Sequence, residues 1–426
     1  VDLQMSTFRP RSADPAEDPE AVAWLRAVSQ GFHQDRLTDE ALGRSLQGLL
    51  DDGFTLRAVH DHDIPAPADP RRPVATFSST DGTINAGAGR MLPARLITDV
   101  TVRPSHRRRG LLRTMMSAEL AEAKAAGLPV AALTVTEGGI YRRFGFGPAT
   151  FEAKIEVATD SRFALHTPPD GGGQVVLVDA AVLEEHAGEI FRRYHAQTLG
   201  SVQRFSVIPT HVSGLWDWSS REENRRVRGA IFVAESGEPE GYVAWEARRD
   251  PDEFGKITVR DLVPLTPRAY LALWDFLGHV DLIDSVRWGS APTEDPLRFA
   301  LTEPDLYRVR GLDANVWLRM LDVPAALTAR AWQSTGSCVL AVEDSLDLVG
   351  GRYRIKIADG DAEVTRTDDE ADAAMDAAAL GSICLGGVRP SVLAAAGLIR
   401  ELRPSVAASL DQLFAATGPV WGITHF

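Results

Sequence analysis

The residues best suited to chemistry lie together in Val100-Thr101-Val102-Arg103-Pro104-Ser105-His106-Arg107-Arg108-Arg109-Gly110-Leu111-Leu112. Leu96–Val102 reads as a strand, Pro104 and Ser105 end it, and the apolar spacing that follows predicts a helix over Gly110–Ala125. A helix start leaves backbone N–H groups unpaired and carries partial positive charge, so this turn can hold a pyrophosphate. Gly110 permits close backbone approach, and Arg107 or Arg108 can add charge-assisted hydrogen bonds. The extended strand end can pair with the amides of a pantetheine arm. A solvated arginine-rich turn is the alternative. A dinucleotide fold is disfavoured because the glycine series after an early strand is missing.

Elements able to position this turn surround it. Helices are predicted over Glu20–Phe32 and Thr38–Leu50, and strands over Thr55–Val59, Val74–Ser79 and Val130–Val135. Phe151–Val157 is expected to close this first unit, and Pro168–Gly173 reads as a linker. A second unit repeats the order of the first, with a Trp-rich helix near Leu215–Trp218 and a helix over Pro267–Val280. Pro264 and Leu265 stand where the first unit has its arginine–glycine turn, which suggests a degenerate repeat. A third unit from about Arg310 is read as mixed strand and helix, ending in small helices at Ala371–Leu380, Val392–Ala396 and Ser405–Leu413. The alternation implies an α/β or mixed-sheet first domain within an α+β chain.

A chain of 426 residues exceeds one ordinary core, and 44% hydrophobic with 24% charged residues describes a folded protein. The formal net charge of -14 disfavours nucleic acid and anionic membranes and favours a cationic small substrate. The only cysteines, Cys338 and Cys384, are far apart and lack metal-ligand spacing. No apolar run is long enough to span a bilayer, so the cytoplasm is the expected location and membrane insertion is not expected.

The Arg107-x-x-Gly110-x-Leu112 turn resembles motif A of the GCN5-related N-acetyltransferase (GNAT) superfamily. Arg-Arg-Arg-Gly-Leu-Leu, Ile140-Tyr141-Arg142-Arg143-Phe144-Gly145-Phe146-Gly147, the chain length and the final Phe426 look specifically like the enhanced intracellular survival (Eis) acetyltransferases. The resemblance implies an active GNAT domain near 1–157, a degenerate GNAT-like domain near 158–308 and a sterol carrier protein 2-like domain near 309–426. It also implies acetyl-CoA as cosubstrate, no metal, and a homo-oligomer, specifically a hexamer.

By that resemblance Val100 and Val102 give backbone contacts to pantetheine, and Arg107, Arg108 and Gly110 surround the pyrophosphate; Arg109 is a third contact or a solvated neighbour. Thr136 lies near the acyl group or satisfies a local turn. Tyr141 is the general acid for the leaving thiolate, against a packing role beside Phe144 and Phe146. The terminal carboxylate of Phe426 returns to the active site to deprotonate or orient the amine. His425 departs from the acidic penultimate residue of the aminoglycoside-modifying member and is a second candidate base. Asp35, Asp39 and Glu40 are possible acidic substrate contacts, and Trp24 and Phe32 wall the acceptor pocket or face the core. The implied function is acetyl transfer to amines of a polyamine-like or aminoglycoside substrate, or to lysine side chains. The competing class is an apolar-ligand carrier or acyl-CoA-sensing assembly protein.

Overall fold

The computed structural model describes residues 2–135, 137–169, 172–218, 220–248 and 254–426. The first stretch of chain forms β1 (Leu3–Phe8), α1 (Pro19–Gly31), α2 (Asp39–Asp51), β2 (Thr55–Asp61), β3 (Ala75–Asn85), β4 (Met91–Val102), α3 (Leu111–Ala125), β5 (Val130–Thr134) and β6 (Gly147–Pro148). Then follow β7 (Phe151–Ala158), β8 (Gln174–Val178), α4 (Ala180–Gln197), α5 (Ile208–Ser213), β9 (Val227–Val233), β10 (Pro239–Arg248), β11 (Gly255–Pro264), α6 (Pro267–Gly278), β12 (Ile283–Ala291), α7 (Leu297–Ala300) and β13 (Tyr307–Ala314). The remainder forms β14 (Val316–Met320), α8 (Val323–Ala329), β15 (Gly336–Glu343), β16 (Gly351–Ala358), β17 (Asp361–Arg366), β18 (Ala373–Asp376), α9 (Ala377–Ile383), α10 (Pro390–Ala395), β19 (Ile399–Glu401) and α11 (Val406–Leu413).

The chain divides into two compact units, one holding residues up to Ala149 with Val316–Thr417 and His425–Phe426, the other Thr150–Asn315 with Gly418–Thr424. In the first unit a seven-stranded sheet runs β1-β2-β3-β4-β5-β14-β6. It is antiparallel except for the β4–β5 pair, which α3 connects. Leu111, Met115, Met116 and Leu120 of α3 bury against Phe77, Ile97, Ala131 and Leu133 of the strands, the helix-on-sheet packing that its apolar spacing demands. The same unit carries the five-stranded sheet β17-β16-β15-β18-β19.

The second unit has its own seven-stranded sheet, β13-β7-β12-β11-β10-β9-β8, again with one parallel pair, β11–β12, joined by α6. Leu183, Ile190, Leu273 and Trp274 close its core, together with Trp421 and Ile423 from near the chain end.

Three expectations are corrected. The strand at Phe151–Ala158, expected to close the first unit, pairs with β12 and β13 in the second sheet, while β14 sits between β5 and β6 in the first. Boundaries drawn at 157 and 308 follow covalent order, whereas the sheets exchange strands across them. β5, buried from Val130 to Leu133, pairs with β14, whose Val316, Leu318 and Met320 are buried opposite Thr134, Ala132 and Val130. The Trp-rich helix is instead Ile208–Ser213, ended by Gly214 at φ 83°, beyond which Trp218 stacks on His211. The alanine-rich Ala371–Leu380 helix begins as strand, because Ala373–Asp376 pairs in parallel with β15 before Asp376 caps α9.

Candidate active site

The site begins where two parallel strands separate. The β4–β5 ladder covers Ala94–Leu96 against Val130–Ala132 and is not continued to Val100 and Val102. A bulge at Asp99, with φ 53°, bends β4 just before them. Thr76 donates to the Asp99 carbonyl at 2.9 Å and Ser78 to its carboxylate at 2.8 Å, which fixes the bend. One bank of the resulting cleft is the β5-facing edge of β4, an edge suited to the amides of an extended ligand. The end of α1 covers it closely: a Cβ on Gly31 would lie 2.6 Å from Thr101 Cβ.

Beyond Val102 a short turn of 3₁₀ helix, Pro104–His106, leads to Arg107. Buried His106 anchors it, with Nε2 2.9 Å from an Asp61 carboxylate oxygen. Arg108 and Gly110 both adopt left-handed backbone, φ 63° and 81°, and α3 starts directly after. No side chain caps the start of α3. Its first amides thus remain available to an anion, and Arg107, Arg108 and Arg109 stand exposed around them.

Tyr141 lies between two turns of 3₁₀ helix, Gly138–Ile140 and Arg142–Phe144. Its carbonyl accepts from Phe144 N at 2.9 Å and Phe146 N at 3.4 Å, and its ring meets the fully buried Phe146 edge-on at 6.3 Å. Burial first, and Glu137 second, push the phenol's pKa above its ordinary value of 10.0. The group is therefore protonated throughout the neutral range, as a proton donor must be.

These parts line one cavity of about 740 Å³. Val100, Val102, Arg107, Arg108, Gly110 and Tyr141, six of the residues singled out from sequence, all contribute to its wall. Arg113 and Arg143 add two cations, and among the described residues Glu137 is the only acidic one in the wall. In a chain of net charge -14, a basic cavity selects for a polyanion. Sequence reading missed Arg113, although it lies one helical turn past Gly110, and passed over Arg143 beside Tyr141.

Phe426 is not part of that wall. Its backbone N–H donates to Thr134 Oγ1 at 3.0 Å, and the same hydroxyl donates to the Phe426 main-chain oxygen. Thr134 ends β5, two residues past the last pair with β4, so it continues the opposite bank of the cleft. Thr136 lies outside the described residues, and Thr134 is the polar strand-end residue that sequence reading overlooked. His425 is exposed, Phe32 lines the cavity, and Trp24 is buried with its indole N–H on the Arg57 carbonyl at 2.8 Å. Trp24 is therefore core. Asp35, Asp39 and Glu40 are exposed and do not line this cavity.

The corresponding strand–helix passage of the second unit is closed to an anion. Pro267 occupies the first turn of α6, and Thr266 Oγ1 accepts from Ala269 N at 3.1 Å. The same hydroxyl donates to a Glu240 carboxylate oxygen at 3.2 Å, which places negative charge at the helix start. Past the last β11–β12 pair, Asp261 takes both arms of Arg204 at 2.7 and 2.8 Å, and Arg260 binds Asp217 and Glu246. Buried ion pairs thus occupy the stretch of β11 where β4 offers a valine edge.

A parted parallel strand pair, an uncapped helix start and a basic turn define the GNAT class of fold. The acetyltransferase (GNAT) domain family matches residues 12–149 and again 200–320, and the sterol carrier protein domain family matches 323–422. An uncharacterized N-acetyltransferase of Streptomyces avermitilis is 33% identical, covering 97% of this chain and 98% of its own. N-acetyltransferase Eis of Mycobacterium tuberculosis is 37% identical over 78% of this chain and 80% of its own. The crystal structure of Eis1 from Mycobacterium abscessus superposes with a TM-score of 0.81 at 28% identity, covering 99% and 100% of the two chains. The chain belongs to the Eis-like family of GCN5-related N-acetyltransferases, with two GNAT domains followed by a sterol carrier protein domain.

Proposed function

We propose that this N-acetyltransferase moves the acetyl group of acetyl-CoA to a primary amine of a small molecule, using the cavity of the first unit. The observation that carries this reading is the convergence of the free strand edge, the uncapped start of α3 and Tyr141 on one basic cavity. Acetyl-CoA supplies an acetyl thioester already activated toward amines. Val100 and Val102 hold its amide-bearing arm along β4. Arg107, Arg108 and the amides after Gly110 hold its phosphates.

Tyr141 donates its phenolic proton to the departing sulfur, in keeping with its raised pKa. Phe426 acts through its terminal carboxylate, which Thr134 steadies, to accept or orient the proton that the attacking amine must lose. The charge balance closes: the amine gives up one proton and the thiolate gains one. Polyamines, aminoglycosides and lysine side chains are the acceptor classes to screen. Cytoplasmic location and hexameric assembly are proposed on the same resemblance; Val309 and Leu312, exposed on edge strand β13, offer apolar surface for assembly.

The test is a mass-spectrometric screen of acetyl-CoA with diamines, aminoglycosides and lysine peptides. Acetylated amine from the wild type supports the reading. Acetyl-CoA that binds but is never transferred to any amine defeats it.

A further inference from the structure

A second cavity of about 650 Å³ adjoins the first, and His33 lines both. Its wall is formed by the end of α1, the segment after it and Arg72. Arg26, Arg36 and Arg72 contribute three guanidinium groups, and among the described residues no carboxylate lines it. Among the described residues none of the three is ion-paired, although the chain carries 59 acidic against 45 basic residues. The acidic residues expected to meet a cationic substrate, Asp35, Asp39 and Glu40, are absent from both walls.

The arginines stand on a fixed frame. Arg26 and Gln30 follow at helical spacing on one face of α1, and His33 stands just past the end of the helix. Arg72 donates to Gln30 Oε1 at 3.4 Å, and its carbonyl accepts from Arg103, just after the valine edge, at 3.2 Å. His33 adopts left-handed backbone at φ 57°, and Gln34 N donates back to the Ser29 carbonyl at 2.9 Å. Ser29 Oγ in turn donates to the Asp35 carbonyl at 2.7 Å. The carbonyls of Val28, Ser29 and Gln30 near the end of α1 are engaged by the amides of Phe32, Gln34 and His33.

From this geometry we infer that the acceptor amine carries an anionic group, a carboxylate or phosphate, which Arg26, Arg36 and Arg72 bind while the amine reaches the first cavity past His33. The inference rests on the transfer reading above and narrows its acceptor. It disfavours polycations such as aminoglycosides, which three unpaired guanidiniums repel. The chemistry balances as before: the N–C bond forms, the C–S bond of the thioester breaks, and the proton lost by the amine is matched by one gained by sulfur.

The experiment compares matched acceptors differing by one anionic group, lysine against cadaverine and phosphoethanolamine against ethanolamine. Wild type and an Arg26→Gln/Arg36→Gln/Arg72→Gln variant are both measured. The wild type should favour the anionic member of each pair in kcat/KM by roughly tenfold or more, and the variant should lose that preference. Inorganic phosphate titrated into the acetyl-CoA-loaded proteins gives a readout that needs no turnover, and it should bind the wild type more tightly than the variant.

Equal kcat/KM within both pairs, or equal phosphate affinity in the two proteins, overturns the inference. So does a variant that loses affinity for acetyl-CoA but not for 3′-dephospho-acetyl-CoA, since the arginines would then serve the cofactor. A wild type that fails to bind acetyl-CoA at all defeats the transfer reading itself, and the acceptor subsite with it.

Discussion

The hydroxyl of Thr134 is bracketed by the main chain of a single residue, Phe426: it accepts from the amide N–H at 3.0 Å and donates to the main-chain oxygen. Two ends of a chain segment 292 residues apart are thereby fixed at the edge of the cleft. Nothing else about a threonine at a strand end requires such a pairing.

Replacing Thr134 by valine keeps the shape and removes both hydrogen bonds. Turnover should fall by about 10- to 100-fold while acetyl-CoA affinity stays within a factor of two or so, with Thr134→Ser restoring most of the rate. Steady-state kinetics beside calorimetry read both quantities. Wild-type turnover in the valine variant would show that the clasp has no part in catalysis.

Tyr141→Phe removes only the hydroxyl. General acid catalysis contributes about 100- to 10,000-fold, so kcat should fall in that range with cofactor binding retained. The pH profile carries a second signature. Burial and the negative charge of Glu137 both disfavour the phenolate, so the alkaline limb should lie above the ordinary tyrosine value of 10.0. Glu137→Gln removes that negative charge and should move the limb to lower pH; a limb that stays in place would separate Tyr141 from the proton transfer.

Gly110 has φ 81° and nothing within 4 Å of where a Cβ would stand. Its requirement is conformational, not steric. Gly110→Ala should therefore cost about 1–2 kcal/mol of stability, read by denaturant titration, and should weaken acetyl-CoA binding as the turn relaxes. An alanine variant as stable as wild type, with unchanged affinity, would show that the left-handed turn is dispensable.

The second unit holds two histidines kept neutral by burial. His195, with Nδ1 3.1 Å from Ser201 Oγ, and His211, beside Arg260, are both pushed down to about 4 from 6.5. Between those values the unfolded chain takes up protons that the folded one refuses. Stability should be full above about pH 6.5 and fall as pH drops toward about 4, levelling below it. Thermal unfolding against pH reads this slope, and His195→Phe, which can keep the stack on Phe191, should make it shallower.

The cofactor side of the site was legible because its parts are neighbours in sequence. Strand edge, arginines and helix start span Val100 to Leu112, and local rules govern each of them. Thr134 was not legible, since a hydroxyl two residues from the expected Thr136 gains meaning only from a partner 292 positions away. The strand exchange of β7 and β14 was equally hidden, because hydrogen-bond order in a sheet need not follow covalent order. At Ala373–Asp376 a composition that favours helix yields to a buried parallel pairing with β15. The cationic second cavity assembles Arg26, Arg36 and Arg72 from separate elements, and no local pattern joins them.

Calorimetric titration of acetyl-CoA tests the central claim most directly, because it counts sites as well as affinity. The account predicts one site per chain, with affinity falling roughly 100-fold or more when Arg107 and Arg108 are both replaced by alanine. The double variant should keep the wild-type circular dichroism spectrum, since both side chains are exposed. Unchanged affinity in that variant, or a second site per chain, would contradict the placement of the cofactor in the first unit alone.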